Sequence, residues 1–226
     1  MRAHKRLYAI ANMIENKNCV ADIGTDHGIL CKILLENKCT KKVIATDISK
    51  KCLEKAIDLA KKFDYNFPDR FEAREGDGFE PLEKDEVDLA VVAGMGGQEI
   101  IKFLKFQDLK NIQEFIFAPA QNVAELREYL SLNEFEIVKD EVVKDQNKFY
   151  HTLYVKKSTG KCLLSKTQIL FGKFCECERS KDFEEFLNDF IRRQKLILQN
   201  HSNSLKAKNK LELAMKVKES KICKEK

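Results

Sequence analysis

The residues of this 226-residue chain that could do chemistry fall into four short clusters. The first, Asp22-Ile23-Gly24-Thr25-Asp26-His27-Gly28, sets two carboxylates and an imidazole among glycines. The second is Asp47, after the apolar run Val43-Ile44-Ala45; the third is Gly76-Asp77-Gly78; the fourth is Ala93-Gly94-Met95-Gly96-Gly97. Gly24 allows a tight strand-to-helix turn and close approach of a ligand to the backbone. Asp47 can accept hydrogen bonds from both hydroxyls of a ribose. Asp77, flanked by glycines, can accept one from an adenine amino group while the backbone passes close by. A lone aspartate at a strand end is ordinarily a helix cap. Three of them in order, at the carboxyl ends of successive strands, point to a ligand at the edge where open α/β sheets bind.

The sign of the charge selects among ligands. A Gly-x-Gly-x-x-Gly turn brings a helix N-terminus against a pyrophosphate, whereas here Asp22 precedes the glycine and Asp26 lies inside the turn, where a pyrophosphate is repelled. A nicotinamide dinucleotide is therefore disfavoured. S-adenosylmethionine (SAM) has no phosphate and carries an ammonium and a sulfonium, so carboxylates suit it. The glycine-rich Ala93–Gly97 loop stands where an acceptor meets a methyl group. It lacks the Asp/Asn-Pro-Pro-aromatic motif that enzymes methylating exocyclic amino groups have there, which favours a ring nitrogen, whose in-plane lone pair attacks without prior deprotonation. The loop's glycines must make a tight turn in any case; their number argues for close approach by a ligand as well.

The elements that must position these clusters follow from the apolar pattern. Residues 17 to 156 alternate short β-rich runs with helical patterns, the rhythm of a parallel sheet with crossover helices. Strands are expected at 19–23, 42–47, 71–75, 87–93 and 115–118, with helices after Ile29, after a Ser49 cap, and at 97–105 and 122–131. Residues 135–138 and 148–155 are separated only by a polar turn region, so an antiparallel pair closes the sheet. Past Ser158-Thr159-Gly160 the chain becomes Lys-rich and helical. Phe183, Phe186, Leu187, Phe190, Ile191, Leu196 and Ile197 share an apolar face, followed by a broken stripe of Leu205, Leu211, Leu213, Met215 and Val217. The expectation is a Rossmann-type α/β domain over 1–159 and a helical hairpin, with coiled-coil-like packing, over 160–226.

Composition narrows the class. The net charge is +5, and residues 201–226 hold eight Lys against three Glu, which accounts for all of it. Lysines near phosphates release counterions and steer encounter, so an anionic partner is implied, although charge alone fits a solvated helix face as well. Eight cysteines include no Cys-x-x-Cys pair, which suggests a reducing cytoplasm and no disulfide framework. Cys175-Glu176-Cys177 with His201 matches no common zinc spacing, so no metal is expected. The basic N-terminus leads into an apolar stretch broken by Asn12, Glu15 and Asn16, neither a signal peptide nor a membrane span. A cytoplasmic, monomeric protein is expected.

Taken together, Arg6-Leu7, Asp22-x-Gly24-Thr25-Asp26-His27, Asp47, Gly76-Asp77-Gly78 and Ala93-Gly94-Met95-Gly96-Gly97 resemble the bacterial tRNA (adenine(22)-N1)-methyltransferase family. Pro119, Asn122, Leu126-Arg127-x-x-Leu130 and Phe171-Gly172 extend the resemblance over nearly the whole chain; the family usually has Gln-Pro where this chain has Ala118-Pro119. The resemblance implies a class I SAM-dependent methyltransferase domain with a C-terminal helical hairpin, acting on N1 of an adenine in the tRNA D-loop. It places Asp22, Gly24, Asp47, Asp77 and Gly78 on SAM, with Thr25, Gly76, Ala93 and Gly94 completing that site. Asp26, His27 and Met95 then lie by the transferred methyl and the target base, and His27 either fixes the loop or touches substrate. Arg6, Lys206, Lys208, Lys210, Lys216 and Lys218 are expected on RNA. Two other functions are open to these residues: a SAM-dependent methyltransferase of another RNA, a protein or a small molecule, and a non-catalytic SAM- and RNA-binding module, which turnover would separate from the first. The target nucleotide, any role of Gln121 or Asn122 and the docking of the hairpin are open at this level.

Overall fold

A computed structural model describes residues 5–63 and 69–220. Five short strands, β1 (Lys17–Ile23), β2 (Thr40–Asp47), β3 (Phe71–Glu75), β4 (Leu89–Ala93) and β5 (Glu114–Ala118), lie parallel. A long hairpin, β6 (Phe135–Asp145) and β7 (Lys148–Lys157), joins them antiparallel. The sheet order is β3-β2-β1-β4-β5-β7-β6. The chain leaves β1 for β2 on one side and reaches β4 on the other, so the crevice for a ligand opens between the loops that follow β1 and β4. β4 starts two residues later than its apolar run suggests, because Asp88 turns its carboxylate to the N–H of Cys19 (3.2 Å).

Both faces of the inner parallel strands β1, β2, β4 and β5 are covered, which is why their centres read as apolar runs, whereas the edge strand β3 keeps charged residues. Val20, Val43, Leu89 and Val91 pack toward α1 (Lys5–Ala11), α2 (Ile29–Glu36) and α3 (Lys50–Lys62). The alternate residues Ala21, Ile23, Ile44, Ala90 and Val92 pack with Ile100, Leu104, Leu126 and Leu130 of α4 (Gly97–Phe106) and α5 (Val123–Leu132). The period of two that divides these sets is that of the pleat.

The C-terminal part is α6 (Lys166–Phe171), α7 (Lys181–Asn200) and α8 (Leu205–Glu219), entered through serine caps at Ser165, Ser180 and Ser204. Phe171, Phe183, Leu187, Ile191, Ala214 and Val217 form a third core that takes in Val142 and Phe149 from the β6–β7 hairpin. The predicted apolar face is corrected at its far end: Leu196, Ile197 and Leu205 are 53%, 41% and 69% exposed. Ala207 and Ala214 are buried on α8 together with the predicted Val217, and the buried positions of α7 end at Gln194, before the hairpin tip. Residues 221–226 of the basic tail lie outside the described residues. No helix among the described residues is long and apolar enough to cross a membrane. The described cysteines are free thiols, and no cluster of His, Cys, Asp or Glu there could hold a metal ion.

Candidate active site

Two adjoining clefts occupy the crevice. The first is lined by Asp22, Gly24, Thr25, Asp26, His27, Ala93 and Gly94 together with Arg6. The second is lined by Gly24, Asp47, Gly76, Asp77, Gly78 and Met95. Gly24 belongs to both and marks their junction. Its φ of +75° favours glycine, and a Cβ there would come within 2.3 Å of Met95 Cε, so a side chain at the junction would strain the backbone and displace the methionine tip. Met95 thus lies against Gly24 in the second cleft, while Asp26 and His27 line the first.

Backbone bonds fix the loops to one another. Gly24 N and Thr25 N both donate to Thr46 O (2.8 and 3.0 Å), and Gly76 N donates to Asp47 O (3.1 Å). Asp47 Oδ1 accepts from Ser49 N at 2.7 Å, which holds the carboxylate at the strand end. Ser49 is the first residue of the α3 cap, but its hydroxyl makes no capping bond. Gln107, just past α4, was not suggested by any motif. Its Oε1 accepts from Phe79 N (2.8 Å) and its Nε2 donates to Asp77 O (3.3 Å), pinning the Gly76–Gly78 loop.

The carboxylates differ in setting. Asp22 is buried, and burial raises its pKa; hydrogen bonds from Thr25 and Cys31 partly oppose this, and the charge of Asp47 adds to it. Cys31 Sγ donates to Asp22 Oδ2 at 3.2 Å, and burial followed by the Asp22 charge pushes that thiol well up, so it stays a neutral donor. A buried carboxylate met only by neutral donors is incompletely compensated, and an ammonium or sulfonium in the cleft would complete it. Asp26 by contrast is exposed. Its Oδ1 lies 2.8 Å from His27 Nδ1, and Lys55 Nζ of α3 lies 3.1 Å from His27 Nε2. An ammonium can only donate, so Nε2 accepts and Nδ1–H points at Asp26. His27 therefore orders the loop while also lining the first cleft.

The glycines after β4 divide their work. Gly94 has φ +84° and opens on the first cleft, with nothing within 4 Å of a Cβ placed there. Gly97 is different: a Cβ would meet Asn122 O at 2.3 Å, and its own N–H donates to Gln121 O at 2.9 Å. The close approach inferred from glycine number is thus made at Gly97 by the chain's own β5–α5 connection. Gln121 and Asn122 line neither cleft.

Other lining residues gave no signal in the sequence. Ile48, Phe103 and Phe106 flank the second cleft, and Ile48 is 72% exposed beside Asp47, an apolar surface suited to an aromatic base. Tyr150 and Thr152 of β7 line the first; the antiparallel course of β7 carries its early residues to the carboxyl edge of β5. The predicted RNA contacts separate. Arg6 reaches the first cleft, whereas Lys206, Lys208, Lys210, Lys216 and Lys218 stand on α8 and line neither.

Comparison with known proteins places the fold. Residues 3–153 match the methyltransferase domain family. A Mycoplasma genitalium protein provisionally named a tRNA methyltransferase is 33% identical over 172 residues, 74% of this chain and 76% of that protein. The Bacillus subtilis tRNA (adenine(22)-N(1))-methyltransferase is 30% identical over 156 residues, 68% of this chain and 64% of that enzyme. Among solved structures, a Streptococcus pneumoniae protein provisionally named a tRNA (m1A22) methyltransferase, in complex with S-adenosyl-L-methionine, has a TM-score of 0.84. It is 25% identical, over 96% of this chain and 99% of that one.

Proposed function

This chain belongs to the methyltransferase domain family, alongside bacterial tRNA methyltransferases, and we propose that it is a SAM-dependent tRNA methyltransferase acting on N1 of an adenine in the D-loop, position 22. The observation that carries the proposal is the pair of clefts meeting at Gly24, with Asp22 at the base of one and Asp47 and Asp77 in the other. That distribution of negative charge suits a cationic nucleoside cofactor and repels a phosphate-bearing one.

SAM, when bound, supplies a sulfonium-activated methyl group that passes to the acceptor nitrogen. Asp47 holds the ribose hydroxyls, Asp77 with Gly76 and Gly78 holds the adenine edge, and Asp22 faces the ammonium, with Thr25, Ala93 and Gly94 shaping the passage. Asp26 accepts a hydrogen bond from the target adenine's amino group and stabilises the positive charge that develops on the ring. His27, anchored by Lys55, keeps Asp26 in place. Positioning is the main contribution: near-attack geometry supplies roughly 7–11 kcal/mol of barrier lowering, so no covalent enzyme intermediate is required. Because N1 lies on the Watson–Crick edge, the base must leave its pair or stack, which costs a few kcal/mol.

Labour divides between residues 1–159, which hold cofactor and base, and 160–226, whose Lys206, Lys208, Lys210, Lys216 and Lys218 meet tRNA phosphates, with Arg6 at the mouth of the acceptor cleft. On this reading the protein acts in the cytoplasm, as a monomer and without a metal. The test is transfer of labelled methyl from SAM to unmodified tRNA, followed by digestion to nucleosides. N1-methyladenosine from the D-loop is the expected product; SAM binding without transfer would refute catalysis.

A further inference from the structure

We propose that Tyr150 is the platform on which the target base stacks, supplying from β7 the aromatic surface that the loop after β4 lacks. The inference rests on the proposed adenine acceptor and adds the residue that holds it. A base withdrawn from its helix loses its stacking partners and needs a flat surface in return. The Ala93–Gly97 loop contains no aromatic residue. Among the residues lining the first cleft, Tyr150 is the one with a phenyl or phenol ring, beside Gly94 and Ala118 at the ends of β4 and β5.

The strand register explains how the ring gets there. Phe117 of β5 pairs with Leu153 of antiparallel β7, so Thr152 comes level with Ala118, the last residue of β5, and Tyr150 continues past it into the crevice. Tyr150 and Thr152, two residues apart, share a face of the strand, and both line the cleft. His151 between them points away and meets Arg127 Nη2 at 3.0 Å.

The ring is also held before substrate arrives. The Arg6 guanidinium lies over it, 5.2 Å from its centroid, and Arg6 N donates to Asp145 Oδ2 (3.4 Å) farther along the same hairpin. Tyr150 is thus fixed between strand and α1, and a base added to the Arg6–Tyr150 stack finds a surface already oriented.

The experiment compares Tyr150→Phe, Tyr150→Leu and Tyr150→Ala in the full chain. Readouts are kcat/KM for tRNA, SAM affinity by calorimetry, and fluorescence of a tRNA carrying 2-aminopurine at the target position. Removing the ring should cost about 5- to 150-fold in kcat/KM, the equivalent of about 1–3 kcal/mol of stacking per base. Tyr150→Phe should restore most of that loss, SAM affinity should hold in all three, and bound 2-aminopurine should be brighter on Tyr150→Leu than on wild type. Tyr150→Leu keeps apolar bulk in the strand should the alanine variant fold poorly. Unchanged turnover without the ring, equal losses in Tyr150→Phe and Tyr150→Leu, or a parallel fall in SAM affinity would each overturn the proposal. Absence of methyl transfer by the wild type would instead count against the proposed function, and the fluorescence comparison, which needs no turnover, would still decide the stacking.

Discussion

Asp140→Ala gives the sharpest structural prediction, because it strikes the joint between the sheet and the C-terminal helices. Arg127 of α5 and Asp140 of β6 form a bidentate pair, Nε to Oδ2 and Nη2 to Oδ1 both at 2.8 Å, with side chains 0% and 1% exposed. Arg127 also donates to Ile169 O of α6 at 3.3 Å and to His151 Nδ1, and Asp140 Oδ2 accepts from Lys173 N at 2.8 Å. Removing the carboxylate leaves a buried guanidinium without its counter-charge, a loss of about 3–5 kcal/mol. At about 2–4 °C per kcal/mol for a chain of this size, Tm should fall by about 6–20 °C. The double variant Arg127→Met, Asp140→Leu removes both charges and should recover more than half of that loss. Neither residue lines the clefts, so SAM affinity below the transition should hold, while the KM for tRNA should rise as α6 and the helices after it lose their anchor. Thermal unfolding with calorimetry and kinetics on the same samples checks all three; a Tm change under about 2 °C, or a double variant no more stable than Asp140→Ala, would show that the pair does not bind the two parts together.

Three further outcomes are expected. Burial, and next the Arg127 charge, hold the His151 pKa well below 6.5. Below pH 6.5 the unfolded chain therefore binds a proton that the folded chain refuses, and stability is lost as pH falls, by up to about 1.4 kcal/mol per pH unit. Urea titrations at stepped pH should show that acid slope reduced in His151→Asn; an identical slope would assign the sensitivity elsewhere. Asp26→Asn should lower turnover roughly 10- to 150-fold, the scale of a hydrogen bond to a charged group, while SAM affinity holds; equal losses in calorimetry and kinetics would move Asp26 to the cofactor. Neutralising Lys206, Lys208, Lys210, Lys216 and Lys218 should raise the KM for tRNA and flatten its salt dependence by roughly 0.7–0.9 log units per phosphate contact removed, and an unaltered slope would take α8 off the RNA.

The crevice was legible because buried strands announce themselves as apolar runs and their ends fix where loops must stand. Asp22 and Asp47 follow such runs, Asp77 follows the weaker edge strand Phe71–Glu75 and is marked by its flanking glycines, and all three line the clefts. Met95 lies in the second cleft against Gly24 because a long side chain chooses its direction by packing that spacing does not encode. Tyr150 and Thr152 were hidden for a different reason: only the pairing of β7 with β5 decides which residues of the hairpin reach the crevice. Cys31 looks like any small apolar helix residue until its thiol is found on Asp22. Gln107 works through two backbone bonds to a loop some thirty residues earlier, a contact without a periodic signature. The glycine count after β4 misled at Gly97, since a neighbouring strand connection leaves the same mark on sequence as a ligand. On α8 charge was readable from composition, and Val217, Leu211, Leu213 and Met215 of the apolar stripe do pack against the third core, but the alanines Ala207 and Ala214 that complete the seam carry no apolar signal of their own.

The central claim is that the ring nitrogen N1 of a tRNA adenine accepts the methyl group. Replacing that adenine with 1-deazaadenine, which carries C–H in place of N1 and keeps the amino group and the rest of the tRNA, tests it most directly. Methyl transfer should vanish while the substituted tRNA still binds and competes with the unsubstituted one. Continued transfer to the substituted tRNA would contradict the account.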